Sequence, residues 1–445
     1  MVSSQVLKKA LVIFFIISLC SCSKDKETEK TKKSIPPVRQ SILLQDEGFF
    51  GWNSLTLRNA FVRLDVVPEL GGKIMGFDLQ GYQILWHDPA KEGIVEKDQG
   101  YGFGEKYFNP GGAKVWPAPQ GWNGPEEWPG PPDNVLDSSS YEFSTIENSI
   151  NVVSPKDDGT GRTGLQYNNT YTLIPSSTIA ELHLSMTNVV NRPVKWGLSH
   201  VVTLPVNSQF TVYVPVDNQN LHVIHGEKDN PQWLGVKDGL FRMRYDKRVG
   251  KVSMKAREGW AAWHDEENNI VFAMLFPVTS GAEYPDNGSN FAIWTNGSGT
   301  LKLNNQEQTL QYSPETAMME LEVMGPLTQL APGRSSSMDV TWGICRCSGV
   351  KKVLPVGVVV EDLTYKDNVV SGKFGVFYGG ILQLVFLEKE GKQRGITNVM
   401  YVSPLSEVSI HLESRRIVPP AYYVRYQIAN YDQQVIGILG TVKVK

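Results

Sequence analysis

Cysteine is nearly missing from this chain: 445 residues carry four, at positions 20, 22, 345 and 347. So sparse a set excludes a disulfide framework. Cys345 and Cys347 stand one residue apart, which puts both on one face of a strand and would strain a bridge between them. Two buried free thiols are the expected state. Charge of one sign is lacking too: 43 Lys and Arg oppose 46 Asp and Glu, for a net −3. With no basic stripe, the expected partners include no nucleic acid. Long apolar runs are absent, and so are amphipathic helical patterns longer than two turns. Metal-ligand spacing is missing as well. His222 and His225 stand in a loop-like stretch without a third histidine or a cysteine, and His264 to Asn269 reads as a solvated polar turn. There is no phosphate-cradling glycine loop, nucleophile elbow or HExxH. No metal and no cofactor is expected.

What is present begins at the N-terminus. Lys8 and Lys9 precede Ala10 to Leu19, an apolar run suited to a secretory signal and too short for a permanent span. It ends in Leu19-Cys20-Ser21-Cys22, which resembles a lipobox. Cys22 fits the lipid-acceptor position better than Cys20, because Ser21 is small and Leu19 is not. Several acyl chains on one cysteine would anchor the protein stably, each buried methylene adding roughly 0.8 kcal/mol. A plain cleaved signal is the competing reading. The charged run Ser23 to Lys30 lacks aromatics and reads as a solvated tether. The expected organisation is a signal peptide over 1–21 and a tether over 22–45. The expected location is the cell envelope, lipid-anchored through Cys22, at the outer membrane and on either face.

From Ser54 onward the pattern is that of strands. Apolar and polar residues alternate in Phe61 to Val67, Thr170 to Leu173, Ile179 to Met186, Val252 to Lys255 and Met318 to Val323, with Ile270 to Phe276 a further apolar strand. The 41 glycines and 26 prolines suit turns and disfavour helix interiors. Gly100 to Pro132 differs: it is aperiodic, crowded with Gly, Pro, Trp, Asn and Gln, and long for a loop inside a compact domain. Ser348 to Lys352 reads as a linker. Beyond it, strand signals recur about every ten residues, as in an immunoglobulin-like sandwich. The domains expected are residues 46–347 and 350–445.

Few groups are left to carry chemistry. Glu320 and Glu322 share one face of their strand, either as exposed acids or as part of a cleft. His200 follows Trp196-Gly197-Leu198-Ser199, either in a site or as a core histidine. Within the aperiodic segment, Asn109, Lys114, Trp116, Gln120, Trp122 and Trp128 combine flat apolar faces with hydrogen-bonding groups. Saccharides need that mixture. Tryptophans plugging the end of the sandwich are the competing explanation.

The run Val66-Val67-Pro68-Glu69-Leu70-Gly71-Gly72-Lys73-Ile74, with Gly81 and Leu85-Trp86, resembles the opening of aldose 1-epimerase (galactose mutarotase)-like proteins. The stretch from Tyr171 through Asn188, Pro193 and Trp196 to His200 is similar to the approach to their catalytic histidine. Glu320 to Leu330-Ala331-Pro332-Gly333 resembles their late acid and the Leu-x-Pro-Gly after it. Gly111-Gly112-x-Lys114-x-Trp116-Pro117-x-Pro119-Gln120, with Glu283-Tyr284-Pro285-Asp286, looks like the lipoprotein-rich DUF4380-type branch. The resemblance covers about residues 46–345 and implies an all-β chain: a galactose mutarotase-like β-supersandwich, followed here by the small immunoglobulin-like β-sandwich. It also implies a carbohydrate ligand. His200 would be the acid of an epimerase, and Glu320, or failing it Glu322, the base, each contributing on the order of 10²–10⁴ in rate. Asn109, Lys114, Trp116, Gln120, Trp122 and Glu283 would hold the sugar. The sequence departs from the mutarotase pattern after His200, where Val201-Val202-Thr203-Leu204 replaces an aromatic continuation, and before Gly111, where a histidine is missing. The expectation is therefore a carbohydrate-binding envelope lipoprotein; if catalytic, it would be an aldose 1-epimerase-like isomerase. The alternative is a non-catalytic structural or partner-binding lipoprotein.

Overall fold

Alternation of apolar and polar residues commits the chain to sheets with one face to bury. The computed structural model describes residues 43–46, 48–97, 99–102, 107–121, 127–159, 162–303, 306–413, 415 and 420–445. Among these, helix is confined to short turns at Pro68–Leu70, Pro89–Lys91 and Pro285–Gly288 and to Arg415. Everything else regular is antiparallel strand.

Two layers form the main body. In hydrogen-bonded order the first runs Leu55–Arg58, Val62–Val67, Lys73–Leu79, Ala113–Ala118, Val194–Leu204, Met319–Met324, Phe291–Thr295 and Gly250–Ala256. The second runs Glu142–Ile146, Ser149–Val153, Leu165–Leu173, Ala180–Asn188, Ser335–Arg346, Ile270–Leu275 and Trp260–Asp265. The long strand Phe210–His225 joins the layers. Its first half pairs with Trp260–Asp265 and its second half with Gly250–Ala256. His222 and His225 thus lie in a strand, not in the loop their surroundings suggest. His264 and Asp265 are likewise buried at a strand end rather than solvated.

Between the layers lies one continuous apolar core. Phe77 of the first layer packs 6.2 Å from Phe272 and 5.3 Å from Trp342 of the second, measured between ring centroids. Each such side chain, fully buried, contributes about 1.5–3 kcal/mol. Leu165–Leu173 and Ala180–Asn188 bury every second residue, which is why their periodicity shows in the sequence. Ala113–Ala118 is buried at every position. A strand covered on both faces loses the period-two signal, so it hid inside the aperiodic Gly100–Pro132 segment.

The C-terminal strands make a second sandwich around its own core. One sheet holds Lys352–Leu354, Gly357–Lys366, Val369–Val376 and Val408–Glu413; the other holds Gln393–Val402, Gly380–Leu387, Tyr423–Ala429 and Val435–Lys443. Leaving aside the short Lys352–Leu354, the first sheet takes the first, second and fifth strands and the other the fourth, third, sixth and seventh. That crossing pattern is immunoglobulin-like. Where this sandwich meets the body, Phe377, Val353 and Val358 pack with Ile179, Trp260, Val271, Cys345 and Cys347. Both cysteines are free and buried, with Sγ atoms 3.8 Å apart.

Candidate functional site

Three strands of the first layer set the site by their register. Lys114 lies opposite Val201, and Val201 opposite Glu322; Trp116 lies opposite Ser199; Thr203 lies opposite Glu320. Further across, Glu320 pairs with Trp294 and Trp294 with Lys251. Residues paired across strands share a face, as do residues two apart. Lys114, Trp116, Glu320, Glu322 and Lys251 therefore all point away from the inter-layer core.

On that face the charges pair diagonally. The Lys114 ammonium donates to Glu320 Oε1 at 2.7 Å, and the Lys251 ammonium to Glu322 Oε2 at 2.8 Å. All four side chains are nearly buried, at 2–8 % exposure. Thr203 Oγ1 also donates to Glu320, at 3.4 Å. Beside them Lys73 pairs with Asp137 Oδ1 at 3.1 Å. Burial lowers the Lys73 pKa, and the neighbouring Lys114 charge lowers it further against the pull of Asp137. Burial lifts the Glu322 carboxyl above its ordinary value; Lys251 draws it back, while Glu320 and Asp286 push it the same way as burial. For Lys251, burial works against the charge, but Glu322 and Asp286 outweigh it and raise the pKa. Buried ion pairs return little net stability, because desolvation consumes most of the Coulombic gain. An array of them on one sheet face therefore calls for another reason.

The array borders an open cleft, lined by Trp116, Pro117, Pro119, Gln120 and Ser199 on one side and Lys251, Glu322, Pro285 and Asp286 on the other. The cleft itself holds only about 10 Å³, room for one water-sized group; the 250 Å³ of empty space around it includes open solvent. Asp286 enters from the Pro285–Gly288 turn with φ 47° and ψ 56°, followed by Asn287 at φ 62°. Asp and Asn tolerate this left-handed region better than other side chains. Ser289 Oγ donates to the Asp286 carbonyl at 2.7 Å and fixes the turn. The Asp286 carboxylate then stands 3.9 Å from the Lys251 ammonium.

Placement of the expected residues is mixed. Glu320, Glu322, Lys114, Trp116 and Gln120 come together here, and Asn109 Oδ1 lies 3.4 Å from the Lys114 ammonium. Trp116 is a wall rather than a free stacking platform. Its Nε1 donates to Asp137 Oδ1 at 2.8 Å, its ring packs 5.3 Å from the Trp128 ring, and the Lys114 ammonium sits 4.5 Å over it. Trp128 is fully buried and donates to Asp133. Glu283 lies on the surface, its carboxylate paired with Lys195 at 2.7 Å. Trp122 and Cys22 lie outside the described residues.

His200 departs most from its expected role. It pairs with Val115 and Val323 and so faces the inter-layer core, opposite to Glu320 and Glu322. It is 1 % exposed, neither ring nitrogen has a hydrogen-bond partner, and its ring packs 5.4 Å from Trp342. Burial pushes its pKa down to about 3. The structure does not bring this imidazole to the carboxylates. Sequence reasoning missed Lys251, Asp286, Lys73 and Asp137. Asp286 ends the Glu283-Tyr284-Pro285-Asp286 run, whose Pro-Asp-Asn-Gly turn chemistry was a usable signal. Lys251 carries none, being one lysine in an ordinary alternating strand.

Fold and face together define a two-layered all-β protein with a buried ion-pair array beside an open cleft. The chain belongs to the DUF4380 family, a domain of unknown function whose sequence pattern matches residues 53–345. No curated protein matches it. Among solved structures it is similar to a galactose mutarotase-like protein from Lactobacillus casei ATCC 334, at 10 % identity and a TM-score of 0.45, covering 65 % of this chain and 99 % of that one. A TPR-domain containing protein from Parabacteroides distasonis ATCC 8503 matches at 13 % identity and a TM-score of 0.45, over 72 % of this chain and 56 % of that one. A galactose mutarotase-like protein from Clostridium acetobutylicum matches at 11 % identity and a TM-score of 0.41, over 69 % and 99 %.

Proposed function

We propose that this chain is a saccharide-binding lipoprotein of the bacterial envelope, with its ligand seated over the cleft floored by Glu322, Lys251 and Ser199 and one hydroxyl reaching in. The observation that carries the reading is the pairing of nearly buried ammonium and carboxylate groups along an open cleft. A sugar hydroxyl both donates and accepts, so it can bond an ammonium and a carboxylate together. Pro117, Pro119 and the edge of Trp116 supply the apolar wall that such pockets need. The proposal is binding, not epimerisation. The histidine that the resemblance would make the acid faces the other side of its sheet from Glu320 and Glu322, which is why binding is proposed.

The test separates a structural array from a functional one. Lys251→Met with Glu322→Leu and Asp286→Asn removes the linked charges together while nearly keeping volume, a change that is neutral or stabilising for a purely structural set. The reading expects this triple variant to keep its melting temperature and to lose saccharide binding in calorimetry. Freshly dissolved aldoses should mutarotate at the spontaneous rate with or without the protein. Calorimetry blank across plant, algal and host glycans would end the reading. The anchor is tested separately: Cys22→Ser should abolish fatty-acid labelling and move the protein out of the membrane fraction. One observation favours partner binding as a second reading. The edge strand Gln393–Val402 exposes Ile396, Val399, Met400 and Tyr401, and an edge of that kind accepts a strand from another chain.

A further inference from the structure

Of the charged groups around the cleft, Lys114 bonds Glu320, Lys73 bonds Asp137 and Lys251 bonds Glu322. Asp286 stands apart. Its side chain is only 5 % exposed, and among the described residues its carboxylate accepts no hydrogen bond. A carboxylate has acceptor capacity on both oxygens, and here that capacity is left facing the cleft. Its nearest cation, Lys251, is 3.9 Å away, too far for a direct hydrogen bond. The turn that holds Asp286 there is itself fixed, through the Ser289 hydroxyl and the Ser289 N–H to Pro285 O at 2.8 Å.

We propose that the Lys251–Asp286 gap reads one uncharged hydroxyl group, and that Asp286 thereby restricts the cleft to neutral polyhydroxylated rings. This deepens the saccharide reading and rests on it. A single oxygen can lie ~2.8 Å from both groups across a gap of this width, accepting from the ammonium and donating to the carboxylate. A hydroxyl does both. A protonated amine only donates, so it would face the Lys251 ammonium with no acceptor to offer. A carboxylate or phosphate only accepts, and it would meet Asp286 and Glu322. Lys251 is already committed to Glu322, and among the described residues three lysines stand against four carboxylates here, so their balance supplies no surplus positive charge to recruit an acidic ligand. The site discriminates by needing a donor and an acceptor on the same atom, the kind of requirement that gives polar sites their strongest selectivity.

The experiment is calorimetric titration of the full-length protein with the methyl pyranosides of glucose, galactose and mannose, and with their 6-carboxylate and amino counterparts. At least one neutral ring should bind, and its charged counterpart should bind about tenfold to hundredfold more weakly. Asp286→Ala should lose neutral binding by a similar factor. Asp286→Asn keeps an acceptor oxygen and should lose less; it also serves as the test if the alanine variant does not fold. Acidic counterparts binding as well as neutral rings would overturn the proposal. So would both Asp286 variants binding like the wild type, which would leave only solvent in the gap. Binding without selectivity removes this proposal alone, whereas no binding by any probe removes the saccharide reading and takes this inference with it.

Discussion

Packed between the layers with neither ring nitrogen bonded, His200 titrates near 3 instead of the ordinary 6.5. Its neutral form is the folded form, so below pH 6.5 the unfolded chain binds a proton that the native chain refuses. The stability this residue allows is complete above pH 6.5 and is lost as pH falls from there toward 3. Between pH 7 and pH 5 the loss is about 2 kcal/mol. His200→Leu should flatten that part of the slope and leave the proposed saccharide binding unchanged. Urea unfolding of both proteins at the two pH values checks it. His225, lowered to about 4, and His264 titrate in the same direction in both proteins, so the difference isolates His200. Equal acid sensitivity in the two would contradict a dry position for the ring. At this scale the sequence was half legible. That Glu320 and Glu322 share a face follows from their spacing alone. Which face His200 takes relative to them depends on the register between Val194–Leu204 and Met319–Met324, strands more than a hundred residues apart, and local patterning carries no trace of that register.

The strand Ala113–Ala118 owes its place to the two glycines before it. Gly111, at φ 91°, lies so close to the chain at Trp86 that a Cβ would come within 2.2 Å of its carbonyl oxygen; at Gly112, φ 72°, a Cβ would meet the Ile74 oxygen at 2.6 Å. This approach lets Lys114 and Trp116 take their register against Val201 and Ser199. Gly81, at φ 89°, has nothing within 4 Å of the same position. The two sites separate the steric from the conformational cost. Gly81→Ala should cost about 1 kcal/mol for its left-handed backbone alone, whereas Gly111→Ala adds a clash with main chain and should cost at least about 3 kcal/mol. Thermal unfolding of both variants measures this, and equal losses would refute the tight approach. The Gly-Gly pair was visible in the sequence, but the strand after it was not, because burial on both faces erased its alternation.

At the scale of the whole molecule, the main body and the C-terminal sandwich, each with its own core, meet across a shared apolar patch. The linker-like Ser348–Lys352 is held down: the Cys347 N–H donates to Asn269 O, and Ser348 bonds the Glu407 carboxylate through both N–H and hydroxyl. At the joint Phe377 covers Gly343, where a Cβ would come within 2.9 Å of its ring, and Gly375 covers the two thiols, with a Cβ there 2.5 Å from Cys345 Sγ. The Thr178 N–H donates to Phe377 O, while its hydroxyl bonds Ile344 O. Burial, together with the nearby Cys347, pushes the Cys345 thiol well above its ordinary range, so it is unreactive while covered. Composition and spacing point to domains over 46–347 and 350–445, and nothing in them marks the apolar patch that the two sandwiches share. That patch makes the thiols reporters of the joint. In a denaturant series, Cys345 and Cys347 should become reactive to a thiol reagent only as the main body unfolds, in one transition. Phe377→Ala should cost about 3–5 kcal/mol and bring labelling forward to lower denaturant. Thiols that react in the wild type well before the tryptophan signal changes would mean that the sandwiches part first, and that the joint contributes little to holding the cleft-bearing body together.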